Sequence, residues 1–168
     1  PVRHDALDPC GFFIETPGGN LTVLPDLGCW RDNLADALRH SDLIVLEANH
    51  DLEMLHRGPY PPHLKRRVAS DVGHLANDTC GRALATTLAG ITGFPTVWLA
   101  HLSATNNRPE AAVAAVTAEL TGKDLRLNVY ALPRREVGPR WENVAGTPRR
   151  AGSWTPSVAT RQLRLELG

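Results

Sequence analysis

Two residues in this chain are placed to do metal chemistry. Leu21–Leu24 runs into Pro25-Asp26-Leu27-Gly28, and Thr96–Ala100 runs into His101-Leu102-Ser103. Each puts a ligand-type side chain just past an apolar run of strand length, the edge at which α/β folds build their sites. A carboxylate can bridge two divalent cations, and a neutral imidazole is a good ligand for Zn²⁺ or Mn²⁺. The implied chemistry is metal-assisted hydrolysis. Taken singly, an Asp-x-Gly after a strand is more often a turn former, and a strand-end histidine is usually bonded to backbone. No His-x-His or His-x-x-x-Asp-His cluster occurs in the chain, so the other half of a dinuclear ligand set is missing.

Further polar groups lie nearby. His74 sits in Gly73-His74-Leu75-Ala76-Asn77, where the preceding glycine permits a sharp turn towards a cleft. It reads as a proton donor or phosphate contact, or else as a solvent-exposed histidine at a helix entry. His4-Asp5-Ala6 and Glu47-Ala48-Asn49-His50-Asp51 are two more polar clusters. Glu47 or Asp51 could equally satisfy loop backbone.

The elements that must position these groups follow from patterning. Phe12–Thr16 and Leu21–Leu24 around Pro17-Gly18-Gly19-Asn20 predict a hairpin. Asp32–His40 predicts a short amphipathic helix, Asp42–Glu47 a strand buried on both faces, and 51–57 one or two helical turns. A basic helix is expected over His63–Ser70, and a stronger one, capped by Asn77 or Asp78, through Ala89. Val97–Ala100 is the next strand. Pro109–Leu120 is a helix with proline at its first position, and Leu125–Leu132 a closing strand. Strands and helices interleave, the pattern of an α/β fold.

The 168 residues suit one domain, with 42% hydrophobic and 21% charged side chains. The formal net charge is +0, unevenly spread. Residues 133–168 hold seven Arg against three Glu, and 1–132 carry a compensating acidic excess. Three widely spaced cysteines, Cys10, Cys29 and Cys80, argue for reduced thiols. No apolar run reaches membrane-spanning length, so a cytoplasmic protein with no membrane partner is expected. The start at Pro1, directly into strand-like sequence, is that of a cut or processed end.

In order, His4-Asp5-Ala6, Pro25-Asp26-Leu27-Gly28, Asp42–Asp51 (DLIVLEANHD), Gly73-His74-Leu75-Ala76-Asn77 and Leu99–Ser103 followed by Asn106-Asn107-Arg108-Pro109-Glu110 resemble the metallo-β-lactamase superfamily. The likeness is to its YycJ/WalJ-like branch, with a more distant one to the ribonuclease Z type, and covers roughly residues 2–131. It implies that 1–132 form the C-terminal half of an αββα sandwich, a mixed sheet flanked by helices. The basic Pro/Gly/Arg-rich tail, 133–168, is expected to be partly disordered or to add an edge strand at Gln162–Leu167.

The resemblance further implies a metal-dependent phosphodiesterase or nuclease, akin to a DNA exonuclease, with two divalent ions (Zn or Mn) in the complete domain. Asp26 would be the bridging carboxylate, His101 a terminal metal ligand, and His74 the histidine assisting the leaving oxygen or the scissile phosphate. His4, Lys65 and Arg66 are expected to contact a nucleic-acid or phosphodiester substrate. The family's His-x-His-x-Asp-His half is absent, and Ala76 stands where Ser is usual. The isolated chain is therefore expected to be inactive and to hold few metal ions or none. The absent half would be supplied in cis or in trans. An exposed apolar sheet face, open to that half or to a second copy, is expected. The alternative is a non-catalytic or split-chain domain that binds nucleic acid or a partner.

Overall fold

A computed structural model describes residues 1–142, apart from Thr92 and Phe94. The tail beyond 142, including the strand expected at Gln162–Leu167, lies outside the described residues.

Five strands form one mixed sheet in sequential order: β1 (Phe12–Thr16), β2 (Gly19–Leu24), β3 (Leu43–Glu47), β4 (Thr96–Ala100) and β5 (Asn128–Ala131). β1 pairs antiparallel with β2, and β2 to β5 are parallel. The hairpin is tighter than expected. Thr16 pairs with Gly19, so Pro17-Gly18 alone makes the turn and β2 starts two residues early. Gly19 has φ 144, a conformation that favours glycine.

The connections carry the helices. A 3-10 turn (Asp32–Leu34) and α1 (Ala35–Arg39) link β2 to β3. α2 (Leu52–Arg57), α3 (Pro62–Val68) and α4 (Asn77–Thr87) lie between β3 and β4, and α5 (Pro109–Thr121) precedes β5. Asp51 caps α2 by accepting from Met54 N at 2.8 Å. The cap expected at Asn77 or Asp78 is not there. Ala76 is the cap residue, with no side-chain bond, because the Asn77 carboxamide is spent on Asn107. β5 is shorter than expected, and residues 1–11 form no strand. Their main-chain bonds go to loops, as in Asp5 N to Val72 O and Gly28 N to Arg3 O.

Register explains where the core sits. Ile44 and Val97 are cross-strand partners, as are Leu46 and Leu99, and all four have no exposed surface. With Leu24, Leu38, Leu84, Leu88, Val116 and Leu120 they form the core. Right-handed crossovers that always step in one direction place their helices on one face of the sheet. Among the described residues, no helix lies across the opposite face. There Phe12, Val23, Val45, Trp98 and Tyr130 align as one row over all five strands. Phe12 and Tyr130 are 50% and 51% exposed, and the three between them are half-buried. This is the exposed apolar sheet face expected of half a sandwich. β3, expected to be buried on both faces, is open at Val45 for this reason.

Candidate metal centre

Three parallel strands deliver their carboxyl ends to one place. Asp26 lies two residues past β2, Glu47 ends β3, and His101 follows β4. His74 joins them from the loop before α4. One ligand atom from each of these four lies within 4.8 Å of the others. Glu47 shares the sheet face of Val45, so the cluster sits at the end of the uncovered apolar row.

The loops that carry the cluster are tied to one another. Ala48 N donates to Ala100 O at 3.1 Å, Asn49 N to Leu75 O at 2.8 Å, and Ser103 N to Asn49 O at 2.8 Å. Asn107 Nδ2 donates to Ala48 O, Asn49 O and Asn77 Oδ1, and its Oδ1 accepts from Asn77 Nδ2. The LEANHD, GHLAN and HLSATNN segments are thus each other's hydrogen-bond partners. Gly28 and Gly73 make room for this closure. A Cβ on Gly28 would strike the backbone of Asp71 and Val72, and one on Gly73 the carbonyls of Arg67 and Val68. Gly73 is therefore needed for close approach. The chain also bends at Gly73, whose N–H donates to Ser70 O at 2.9 Å, without a positive φ.

Glu47 organises the centre. It has no exposed surface, and its Oε2 accepts from Leu27 N at 2.7 Å and Leu75 N at 3.1 Å. Its Oε1 meets His74 Nδ1 at 2.7 Å and His101 Nδ1 at 2.9 Å. Burial pushes this carboxyl up, but the bonds from His101, His74 and Leu27 outweigh it and hold Glu47 below its usual range. An ionised carboxylate can only accept, so both imidazoles point Nδ1–H at it, which leaves Nε2 for another partner. Orienting a ligand histidine through its second nitrogen is the usual work of such a carboxylate.

Asp26 Oδ1 lies 2.7 Å from His101 Nδ1 and 4.0 Å from His74 Nδ1. The first is an ion-pair contact of the same nitrogen that turns its N–H to Glu47 Oε1, so a metal-binding His101 would use Nε2 or give up one of these contacts. The donor set of imidazoles and carboxylate oxygens suits Zn²⁺ or Mn²⁺. The Glu47 bond, and beyond it the Asp26 and Glu47 charges, hold His101 above the ordinary histidine value despite burial. His101 also has φ 55, a left-handed conformation uncommon for non-glycine residues. Its carbonyl is fixed by Asn49 Nδ2 at 2.8 Å.

The other expected contacts divide. His4 reaches the cluster, with Nε2 3.9 Å from Asp26 Oδ1, Nδ1 donating to Gly73 O at 2.8 Å, and its ring centre 4.9 Å from that of His74. Lys65 and Arg66 do not reach it. Lys65 Nζ donates to His56 O at 2.6 Å and Arg66 is exposed, whereas Leu64, Arg67 and Val68 line the adjoining cavity. Helical period puts 64, 67 and 68 on one face and 65 and 66 on the other. The sequence reading missed Glu47 as an organiser and Asn107 as a clasp. The signal for Glu47 was its place at the end of a buried strand, where a bare carboxylate needs partners. In the tail, Arg134 donates to the carbonyls of Leu102 and Ser103.

No protein-family model matches the sequence. Over 122 residues the chain is 36% identical to a protein named exodeoxyribonuclease YycJ from Bacillus anthracis, covering 73% of this chain and 46% of that protein. Over 128 residues it is 35% identical to exodeoxyribonuclease WalJ of Streptococcus pneumoniae, covering 76% of this chain and 47% of that protein. The chain thus spans about half the length of these curated relatives. Among the described residues, no helix is long and apolar enough to cross a membrane, and all three cysteines are free thiols.

Proposed function

We propose that this chain is the C-terminal half of a metallo-β-lactamase-type DNA exonuclease, and that Asp26 and His101 are its share of a two-metal centre. The observation that carries this reading is the convergence of Asp26, His74 and His101 on Glu47 at the carboxyl ends of three parallel strands. The likeness to proteins named exodeoxyribonucleases supports the substrate class. Bound divalent ions would lower the pKa of a coordinated water and offset phosphate charge during in-line displacement. Asp26 and His101 would hold them. Glu47 fixes the His74 and His101 rings with Nδ1 inward. A His74 protonated on both nitrogens, its Nδ1–H held by Glu47, would then hand its Nε2 proton to the leaving oxygen. His4, beside Asp26 and His74, restricts their movement and contacts substrate.

Asp26 and His101 are too few to fix a metal's coordination, and the uncovered apolar row ends at the cluster. An N-terminal half bearing a His-x-His-x-Asp-His run would cover that row and complete the ligand set, whether joined in cis or supplied as a separate chain. The free thiols Cys10, Cys29 and Cys80 suit a reducing cytoplasmic setting.

The test is reconstitution. The 168-residue chain, with and without an N-terminal half from a YycJ-type relative, is assayed for mononucleotide release from linear DNA with Mn²⁺ or Zn²⁺. Activity should need both halves and be lost in Asp26→Ala and His101→Ala. Turnover by the chain alone would refute the partial-site reading. DNA binding without cleavage by the reconstituted pair would favour a binding domain.

A further inference from the structure

Beside the cluster lies a cavity of about 430 Å³. Its walls come from α3, the loop after β4 and Tyr60. Asn106 lines it, has no exposed surface, and its Oδ1 and Nδ2 have no hydrogen-bond partner among the described residues. Its main chain is fixed at both ends. Its N–H donates to Ser103 Oγ at 3.0 Å, and its carbonyl accepts from Asp51 N at 2.9 Å. Gly58 leaves room for the carboxamide, since a Cβ there would stand 2.7 Å from Oδ1. A buried, positioned carboxamide without a partner points to a ligand that completes it.

The walls also indicate which part of a ligand enters. Apart from the imidazoles, the acidic and basic side chains lining the cavity are Asp5 and Arg67. Arg67 Nε and Nη2 both lie 2.6 Å from Asp5 Oδ2. Paired in this way, they leave little net positive charge for a phosphate. Leu64 and Val68 add an apolar surface, and Tyr60 an aromatic face. The volume accommodates one nucleoside.

We propose that this cavity seats the terminal base of a single-stranded DNA end, with Asn106 bonding its edge and Tyr60 stacking on its face. The proposal rests on the exonuclease reading and names the substrate group beside that centre. A carboxamide offers both a donor and acceptors, so it can pair with the edge of any base. Stacking on an aromatic ring is equally tolerant of sequence. A processive or distributive exonuclease needs that tolerance.

The test is an NMR titration of the ¹⁵N-labelled 168-residue chain with thymidine 5′-monophosphate, deoxyadenosine 5′-monophosphate and inorganic phosphate. Both nucleotides should shift the Asn106 side-chain amide signals, and phosphate alone should not. Asn106→Leu should weaken both nucleotides by about tenfold or more without lowering the melting temperature, because the groups removed have no partner. Asn106→Ala serves as the second variant. Tyr60→Leu should weaken both nucleotides, and Tyr60→Phe should restore them. Unchanged nucleotide affinity in both Asn106 variants, or an Asn106 shift with phosphate alone, would overturn the proposal. Mn²⁺ broadening of the Asp26 and His101 signals is read in the same sample. Broadening with no nucleotide response sinks the base subsite alone. A nucleotide response at Asn106 supports the subsite with or without broadening, and failure of the reconstituted two-half protein to bind Mn²⁺ sinks the metal-centre reading alone.

Discussion

Replacing Glu47 with alanine would remove the acceptor from two buried main-chain donors, Leu27 N and Leu75 N, now 2.7 and 3.1 Å from Oε2. Each orphaned donor costs about 1–3 kcal/mol, so the pair costs about 2–6 kcal/mol. Release of a buried carboxylate offsets part of this, but the lost bonds to His74 and His101 act in the opposite sense. Against a typical stability of about 5–15 kcal/mol the loss is large. Glu47→Gln separates structure from electrostatics. Its amide oxygen can still accept from both N–H groups, so it should stay within about 1–2 kcal/mol of the parent. It removes the carboxylate that raises His101, whose pKa should fall back towards the ordinary histidine value. The assays are urea unfolding of the metal-free chain and NMR titration of the His74 and His101 ring protons. Stability of Glu47→Ala within about 0.5 kcal/mol of the parent would show that this carboxylate does not hold the loops. An unmoved His101 titration in Glu47→Gln would show that it does not set that imidazole's charge.

Other outcomes follow from the same geometry. The raised His101 contributes stability that is present below its unfolded value of 6.5 and lost as pH rises through its folded value. The depressed Glu47 contributes stability that is present above its unfolded value of 4.5 and lost as pH falls through its folded value. The metal-free chain should therefore show a higher urea midpoint near pH 5.5 than near pH 3 or pH 8.5, and a steady rise to pH 8.5 would contradict this. A protonated imidazole cannot ligate, so Mn²⁺ or Zn²⁺ uptake in calorimetry should strengthen as pH rises past 6.5. Gly73→Ala would drive a methyl group into the carbonyls of Arg67 and Val68. It should cost about 1–3 kcal/mol in thermal unfolding and disturb the His74 ring signals. Trp98→Lys, in the middle of the uncovered row, should change monomer stability by less than about 1 kcal/mol while reducing dye binding to the exposed face and blocking complementation by an N-terminal half.

The local elements were legible because their signals are local. Alternating or continuous apolar runs marked β2, β3 and β4, and Pro109 with Glu110 marked the start of α5. The cap at α4 was misread for the opposite reason. Asn77 is a good cap residue in isolation, but a partner 30 residues away, Asn107, takes its side chain. Lys65 and Arg66 were favoured for their charge, and the phase of α3 turned them away from the cavity. Asp26, His74 and His101 were named from residue type and position after a strand or glycine. Nothing in the linear order shows that they converge on one buried carboxylate.

The sequence by itself determined the α/β class, the candidate ligands and the absence of a His-x-His run in these 168 residues, since each depends on residue type, short-range period or simple presence in the chain. Only the tertiary structure decided that Glu47 joins His74 to His101, that Arg67 and Asn106 face the cavity, and that the uncovered apolar row ends at the cluster. The meeting of the strand ends comes from parallel pairing between segments 22 and 53 residues apart, which no local pattern encodes.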